Sequence, residues 1–408
     1  MNEKPNFGFS ELSGGRMLSP KEAALEIGLG EESLCIGVPR ERSMQESRLS
    51  LTPDAVEILV NNGHEVVVET EAGKAAHFPD NLYSDAGAKI AYSEKEVFKS
   101  NLVLKVEPPT MREVEMLEQG ATLISALQTT NVSKEYLSAL KDRKVTALAY
   151  ELIQDRVGGT PLVRAMSEIA GCSVVQIAGE CLSGAGTGKG VLLGGITGVA
   201  PAKVVILGGG TVAEFASRAA LGLGAEVKVF DNDIYKLRRL KNILGAPVST
   251  STLDTRALKA TLACADVVIG AIKLEMGRDR YWVTEEMVAG MQPGTVIIDV
   301  SIDQGGCFET SRVTSHDNPY FYSHEILHYC VPNIPSRVGR TATRAISNIL
   351  TPLLLKIGDR GGVDETIFSD KGFMSGVYSY KGCLTNSVLA RRFNLQFKDL
   401  ELLMAARF

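Results

Sequence analysis

Four side chains and one glycine-rich turn are the parts of this sequence with chemistry to offer. Arg48 stands in QESRLSLTP, after an apolar run. Its planar, always-charged guanidinium suits a substrate carboxylate, and a surface arginine in a loop is the plainer alternative. Lys105 ends the apolar stretch LVLKVEPP, where an ammonium could polarise a carbonyl oxygen or hold a carboxylate, or merely keep an edge strand soluble. Gln128, which ends the segment 122–127, can hydrogen-bond a ligand but cannot act as a proton donor at neutral pH. Asp299 and Asp303 flank VSI, just before Gln304-Gly305-Gly306. Asp303 could serve as a base or a charge stabiliser, or simply form a turn.

The glycine-rich turn lies in residues 203–231, KVVILGGGTVAEFASRAALGLGAEVKVFD. Val204, Val205 and Ile206 lead into Gly208, Gly209 and Gly210. Val212, Phe215, Ala216, Ala219 and Leu223 then recur at helical spacing, and a second apolar run, 227–230, ends on Asp231. Strand, glycine turn, helix, strand and acid in that order make Gly208, Gly210 and Ala213 a match to G-x-G-x-x-G/A, the dinucleotide fingerprint. Gly208 permits the tight turn, Gly210 lets the backbone approach a pyrophosphate, and the small Ala213 lets helix and strand pack closely. The helix start at Thr211 and Val212 offers unpaired N–H groups to the anion. Asp231 is placed to accept from both ribose hydroxyls and would repel a 2′-phosphate, which favours NAD over NADP.

The elements that must hold these groups alternate between strand and helix. Cys35–Val38 reads as a strand. Thr52-Pro53-Asp54 reads as a helix start, with Thr52 as N-cap, Pro53 at the first helical position and Asn62-Gly63 as the stop. Strands follow at Glu65–Glu69, 102–106, Thr122–Ser125 and 145–149, with helices near 111–118 and 133–142. A long helix over 162–182 leads into the nucleotide-binding half, whose strands continue at 267–271, 296–300 and 326–330, with a helix starting at Thr284. A further helix over about 341–357 would return to the first half, and the tail reads as part polar, part helical near 386–392. This alternation predicts an α/β chain of two doubly wound, Rossmann-like domains with a cleft between them. Such sheets bind ligands beyond the carboxyl ends of their strands, which is where Asp303 falls.

Composition removes several other classes. The chain has 408 residues, too many for one typical core, with 45% hydrophobic and 22% charged residues. A net charge of −5 with no dense basic stretch argues against nucleic acid as a partner. No apolar run approaches a bilayer span, and residues 1–30 carry Lys4, Glu11, Arg16, Lys21 and Glu22 without an apolar core, so neither a membrane segment nor a signal peptide is expected. Seven scattered cysteines without C-x-x-C fit a reducing cytoplasm; Cys307, beside a Gly pair, could be reactive but is read as a free, partly buried thiol. The five histidines show no ligand spacing on a credible helix, so no metal is expected. Residues 184–198 superficially suggest a phosphate loop. Ser183 and Gly190 break that pattern, and a hairpin is the better reading.

Taken together, these segments resemble the family of alanine dehydrogenases and pyridine-nucleotide transhydrogenase α-subunits. The resemblance covers roughly residues 35–390, through IGVPRE…ESRLSLTP (36–53), NNGHEVVVETEAG (61–73), VLKVEPP (103–109), MSEIAG (166–171), the fingerprint, TEEMV…MQPGTVIIDVSIDQGGCFET (284–310) and YCVPNIPSRVGRTAT (329–343). It is stronger toward alanine dehydrogenase, because the extra nucleotide-domain segment of the transhydrogenase is not found. Residues 1–33, polar and glycine-containing, read as an N-terminal extension, and the resemblance implies a discontinuous substrate domain (34–160 and 335–408) around an NAD domain (161–334). By the same resemblance Arg48 binds the pyruvate carboxylate, Lys105 the same substrate, and Asp303 is the active-site aspartate, while Ser167, Asp231 and Asn333 fall in cofactor-contact segments. The activity implied is L-alanine, NAD⁺ and water to pyruvate, ammonium and NADH, in a cytoplasmic homo-oligomer, dimer or hexamer. Two departures stand out. Gln128 takes the place of the histidine that alanine dehydrogenases use as acid and base, and 276–281 lacks the family's proline-containing loop. Asp303 and water could then carry the protons, with Gln128 orienting the substrate. The alternatives are a different amino-acid substrate, or an NAD(H)-binding module that, like the transhydrogenase subunit, passes hydride to a partner.

Overall fold

A computed structural model of the chain describes residues 32–43, 45–129, 132–183, 188–245, 248–272 and 281–405. The expected extension, except its last two residues, and nearly all of 276–281 lie outside them. The strands are β1 (Cys35–Val38), β2 (Glu65–Glu69), β3 (Lys89–Ala91), β4 (Leu102–Leu104), β5 (Thr122–Ser125), β6 (Thr146–Ala149), β7 (Lys203–Leu207), β8 (Glu226–Phe230), β9 (Ser249–Ser251), β10 (Val267–Gly270), β11 (Val296–Asp299), β12 (Tyr320–Ser323), β13 (Ile326–Tyr329), β14 (Val377–Tyr380) and β15 (Cys383–Leu384). They form two sheets, ordered β15-β14-β6-β5-β4-β1-β2-β3 and β12-β13-β11-β10-β7-β8-β9. From β3 to β6 and from β9 to β13 every pairing is parallel, and both runs reverse direction at their first strand, the arrangement that opens a crevice beyond the strand ends.

Local sequence explains these elements. Thr52 Oγ1 accepts the Ala55 N–H at 3.3 Å and starts the helix Pro53–Asn61, while Thr110 and Glu113 cap Met111–Met116 reciprocally. Each sheet is covered on both faces. In β4, Leu102 and Leu104 enter one core with Ile36 and Val68, whereas Val103 enters the other with Leu123 and Ala147. The next residue on the Val103 face is Lys105. The helix Gly339–Asp359 returns to the first sheet, where Ile346, Leu350 and Leu354 share a core with Val56 and Leu59. There Thr343 Oγ1 and Ser347 Oγ accept the N–H groups of Leu49 and Thr52 at 3.0 and 3.1 Å.

Several elements differ from expectation. β4 ends at Leu104 rather than 106: Glu41 Oε1 takes the Val106 N–H at 2.6 Å, although backbone bonds to the β5 side continue from Lys105 N–H to Ile124 O at 3.0 Å and from Ala126 N–H to Val106 O at 3.3 Å. The tail holds a β-hairpin that periodicity alone passes over. VYSY is fully buried and pairs antiparallel with β6, and Lys381-Gly382, both with positive φ, make the two-residue turn into β15. Within 184–198, residues 184–187 lie outside the described set. The remainder shows one isolated Ile196–Val199 bridge, and Lys189 Nζ is tied to Asp266 at 2.6 Å.

Candidate active site

Arg48 and Asp303 come from different sheets and meet through Glu46 and Asn333. The Glu46 side chain is fully buried. Its Oε1 accepts the Arg48 N–H at 2.9 Å and Nε at 2.7 Å, and its Oε2 accepts Arg48 Nη2 at 2.6 Å and Asn333 Nδ2 at 2.8 Å. Asn333, in the left-handed region at φ +57°, also has its backbone N–H near enough to the Asp303 carboxyl to favour its charged form. Arg48 Nη1 contacts Met166 Sδ at 3.5 Å, on the helix Pro161–Leu182. A guanidinium has five N–H donors, so one hydrogen on each Nη remains, a two-pronged edge that matches a carboxylate. Burial opposes the charge of Arg48, but the bonds and charge of Glu46 outweigh it and its pKa is raised.

Lys105 is no edge solubiliser. β4 lies centrally between β5 and β1, and Lys105 is only 2% exposed. Its Nζ sits 2.9 Å from Glu113 Oε1 and 3.1 Å from Glu41 Oε2, both also buried. Desolvation opposes this ammonium, and the two carboxylates overcome it and raise its pKa. Glu41 itself is held above the usual carboxylate range, because burial and the nearby charge of Glu46 outweigh Lys105 and the Val106 N–H. Lys105 stays charged, since two anions share it. Two of its three N–H donors are engaged, leaving one for a ligand.

Gln128 lies at the end of β5 with φ +47°, its residue exposed. Glu151 Oε1 fixes that turn by accepting the N–H groups of Leu127 and Gln128 at 2.8 and 3.2 Å. Asp303 follows β11 in a short 3-10 turn, Val300–Gln304. The residue keeps solvent access, yet its carboxyl is crowded enough that desolvation raises its pKa, against the Asn333 N–H and Arg48. The turn is anchored by Asp299, wholly buried, which accepts from Ser301 N–H at 3.0 Å, Cys307 N–H at 2.9 Å and Ser311 Oγ at 2.6 Å. Asp299→Ala strands these donors and is expected to lower stability by about 3 kcal/mol. Urea unfolding checks this, and a loss below about 0.5 kcal/mol, the scatter of neutral surface changes, would contradict it.

The fingerprint stretch has the open, uncapped form that a dinucleotide cradle requires. At Gly208, φ is +111° and an added Cβ would stand 2.3 Å from Ala271 O, so no side chain fits. A Cβ on Gly210 would meet nothing within 4 Å, and the helix Thr211–Gly222 has no side-chain cap, so its first N–H groups at Thr211 and Val212 are available to an anion. Asp231 follows β8. Its Oδ2 accepts the Gly209 N–H at 2.6 Å and its Oδ1 the Asp233 N–H at 2.7 Å, which locks the glycine turn to the acid. Ser167, half-buried, lies one helical turn before Gly171, whose missing side chain lets Val212 O approach to 2.6 Å of its Cβ position. The Arg48–Glu46–Asn333–Asp303 chain and this cradle thus flank the helix Pro161–Leu182. Sequence reading passed over Glu41, Glu46, Glu107, Glu113 and Glu151. Glu46-x-Arg48 carried a spacing signal. The others are acids whose importance appears only when a cation or a backbone turn faces them.

Two doubly wound sheets, with a dinucleotide-type glycine turn in the second and a buried arginine fork at the first, are the architecture of a two-domain NAD-dependent oxidoreductase. The family models for the alanine dehydrogenase/PNT N-terminal domain and C-terminal domain match residues 37–170 and 174–387, and the chain belongs to that family. It is 38% identical over 367 residues to alanine dehydrogenase 2 of Staphylococcus aureus (strain Mu50 / ATCC 700699), covering 90% of this chain and 98% of that one. Among solved structures it is similar to an L-alanine dehydrogenase, with a TM-score of 0.83, 36% identity, and 88% and 99% of the two chains covered. A transhydrogenase from Sinorhizobium meliloti shares the fold, with a TM-score of 0.73 at 21% identity over 87% of this chain and 99% of that one.

Proposed function

We infer that the chain is an NAD-dependent dehydrogenase that converts L-alanine reversibly to pyruvate and ammonium. The observation that carries this reading is the Arg48 guanidinium, held on one edge by Glu46 with Nη hydrogens to spare and joined through Glu46 to Asn333, beside which Asp303 lies. Family membership supports the same activity and cofactor. In this reading Arg48 binds the substrate carboxylate, Lys105 gives its remaining N–H to the 2-oxygen of pyruvate, and Asp303 stabilises the positively charged iminium and the carbinolamine. Gln128 orients the substrate from the end of β5. Gly208, Gly210, Thr211 and Val212 would hold the pyrophosphate of NAD, Asp231 the ribose, with Ser167 and Asn333 toward the nicotinamide end. When bound, NAD supplies the acceptor for the substrate's Cα hydride.

Domain roles follow from the same reading. Residues 34–160 and 335–408 form the substrate domain and 161–334 the NAD domain, supported by β14 and β15 joining the first sheet. No helix among the described residues is long and apolar enough to cross a membrane. A cytoplasmic location is supported by the seven cysteines, which are free thiols without C-x-x-C spacing. Leu192, Ile196, Val199 and Leu223 are each more than half exposed, which supports assembly as a homo-oligomer. Light scattering that returned a monomer mass would contradict that assembly.

The reading is tested by NADH oxidation dependent on both pyruvate and ammonium. Turnover with both present and none with either omitted is expected, and no turnover with both would overturn it. Asp231→Ala should weaken NADH binding by about tenfold or more and narrow the preference over NADPH, because it removes the ribose acceptor and the Gly209 tether together. Fluorescence titration with the two nucleotides checks this, and unchanged affinity for both would contradict it.

A further inference from the structure

The proposed reaction moves protons as well as a hydride. The substrate's ammonium must lose a proton before its Cα–H can leave as hydride, and the departing amine must regain one. Gln128, at the end of β5, cannot perform either transfer. Among the described residues near Arg48 and Lys105, Glu107 is a titratable side chain with no hydrogen bond or ion pair of its own, whereas His316, whose buried Nε2 also has no partner, faces Glu46, Arg337 and Asp317.

Glu107 lies two residues beyond Lys105, where the chain leaves the ladder of β4. Its backbone is tethered through Glu41, whose Oε1 and Oε2 accept the N–H groups of Val106 and Glu107 at 2.6 and 3.4 Å. Tyr150 Oη donates to Val106 O and fixes the same turn. The side chain is half-buried and within electrostatic reach of Arg48 and Lys105 on one hand and Glu46 and Glu41 on the other. Arg48 is held by Glu46, and Lys105 by Glu41 and Glu113, so neither cation is paired to Glu107.

We propose that Glu107 is the proton-transfer group of this site, taking a proton from the substrate ammonium and returning it to the departing amine. This rests on the alanine dehydrogenase reading above. The Glu107 carboxylate takes one proton from the α-ammonium, leaving a neutral amine whose lone pair forms the C=N bond as the hydride departs to the NAD acceptor. Water adds at C2 and releases one proton to solvent past Asp303. The Glu107 carboxyl protonates the nitrogen of the carbinolamine, the C–N bond breaks, and the hydroxyl proton leaves as the ketone forms. Released ammonia takes up that proton, so the sum is pyruvate, ammonium, NADH and one proton.

The two acids divide the work by environment. Desolvation raises both, but Asp303 has the Asn333 N–H and Arg48 to favour its charge. Glu107 has Glu46 and Glu41 opposing its charge, only partly offset by Arg48 and Lys105, and is pushed up to about 7. A group poised near neutrality can both take and give a proton, which is what the paired steps require.

The test compares wild type, Glu107→Gln and Glu107→Asp with L-alanine and NAD⁺ across pH, with NADH binding measured by fluorescence as a control. Glu107→Gln should lose about 10²-fold or more in kcat, keep its NADH affinity, and lack the loss of activity below about pH 7 that the wild type shows. Glu107→Asp should recover part of the rate together with that loss. Infrared difference spectra of wild type against Glu107→Gln, taken without substrate, should show a carboxyl titrating near neutrality. Turnover by wild type with Glu107→Gln within threefold and an unchanged pH profile would overturn the proposal and leave the alanine reading standing. No wild-type turnover with alanine at any pH would remove both.

Discussion

Lys105→Met is expected to lower stability by about 3–5 kcal/mol, because it leaves two buried carboxylates without their shared cation. Glu41 and Glu113 both contact Nζ and lie almost entirely out of solvent. Methionine fills a similar volume, so the loss reports charge rather than a cavity. The sign of its pH dependence follows from Glu41, which is raised even with Lys105 present. A carboxyl whose folded pKa lies above its unfolded value supports the fold most below the unfolded value, near about 4.3, and loses that support as pH rises through the folded one. The deficit of the variant should therefore be largest at pH 8 and shrink toward pH 5. Urea unfolding of both proteins at the two pH values measures it, and an equal deficit at both, or one below about 1 kcal/mol, would contradict this account. Turnover should fall with it, since the same ammonium carries the one N–H assigned to the substrate.

Arg48→Lys should lower kcat/KM for L-alanine by about 10²–10³-fold, equivalent to about 3–4 kcal/mol of transition-state binding. Lysine preserves the charge but not the fork. It cannot bind Glu46 through two parallel N–H groups and still present a second two-pronged edge. Glu46 would keep Asn333 and Ser336, so the link to Asp303 should survive and NADH binding should change little. Steady-state kinetics beside NADH titration separate these effects. A variant with kcat/KM within threefold of wild type would show that Arg48 does not hold the carboxylate.

The fold was largely legible in the sequence, and the reasons are local. Strand-glycine-helix-strand-acid over 203–231 specifies one supersecondary unit, and the helix starts at Thr52 and Thr284 are capped as read. The antiparallel edge of the first sheet was not, because VYSY is too short for periodicity and its partner β6 lies more than 200 residues away. The positive-φ pair Lys381-Gly382 was the available signal. Arg48, Lys105 and Asp303 could be singled out because each is chemically conspicuous in its segment, whereas Ser167 and Asn333 were reached only through resemblance. What surrounds the first three could not be. Glu41, Glu46 and Glu113 are ordinary acids until the sheet places them around a buried lysine and arginine. Glu107 stands out only through the charges facing it.

The central claim is that this chain itself moves a hydride from the Cα of alanine to NAD. Its most direct test is incubation with NAD⁺ and L-alanine carrying deuterium at C2. The account predicts pyruvate and NADH in equal amounts, with the deuterium at C4 of the nicotinamide ring. Tight NAD binding without pyruvate or label in the nucleotide would contradict it.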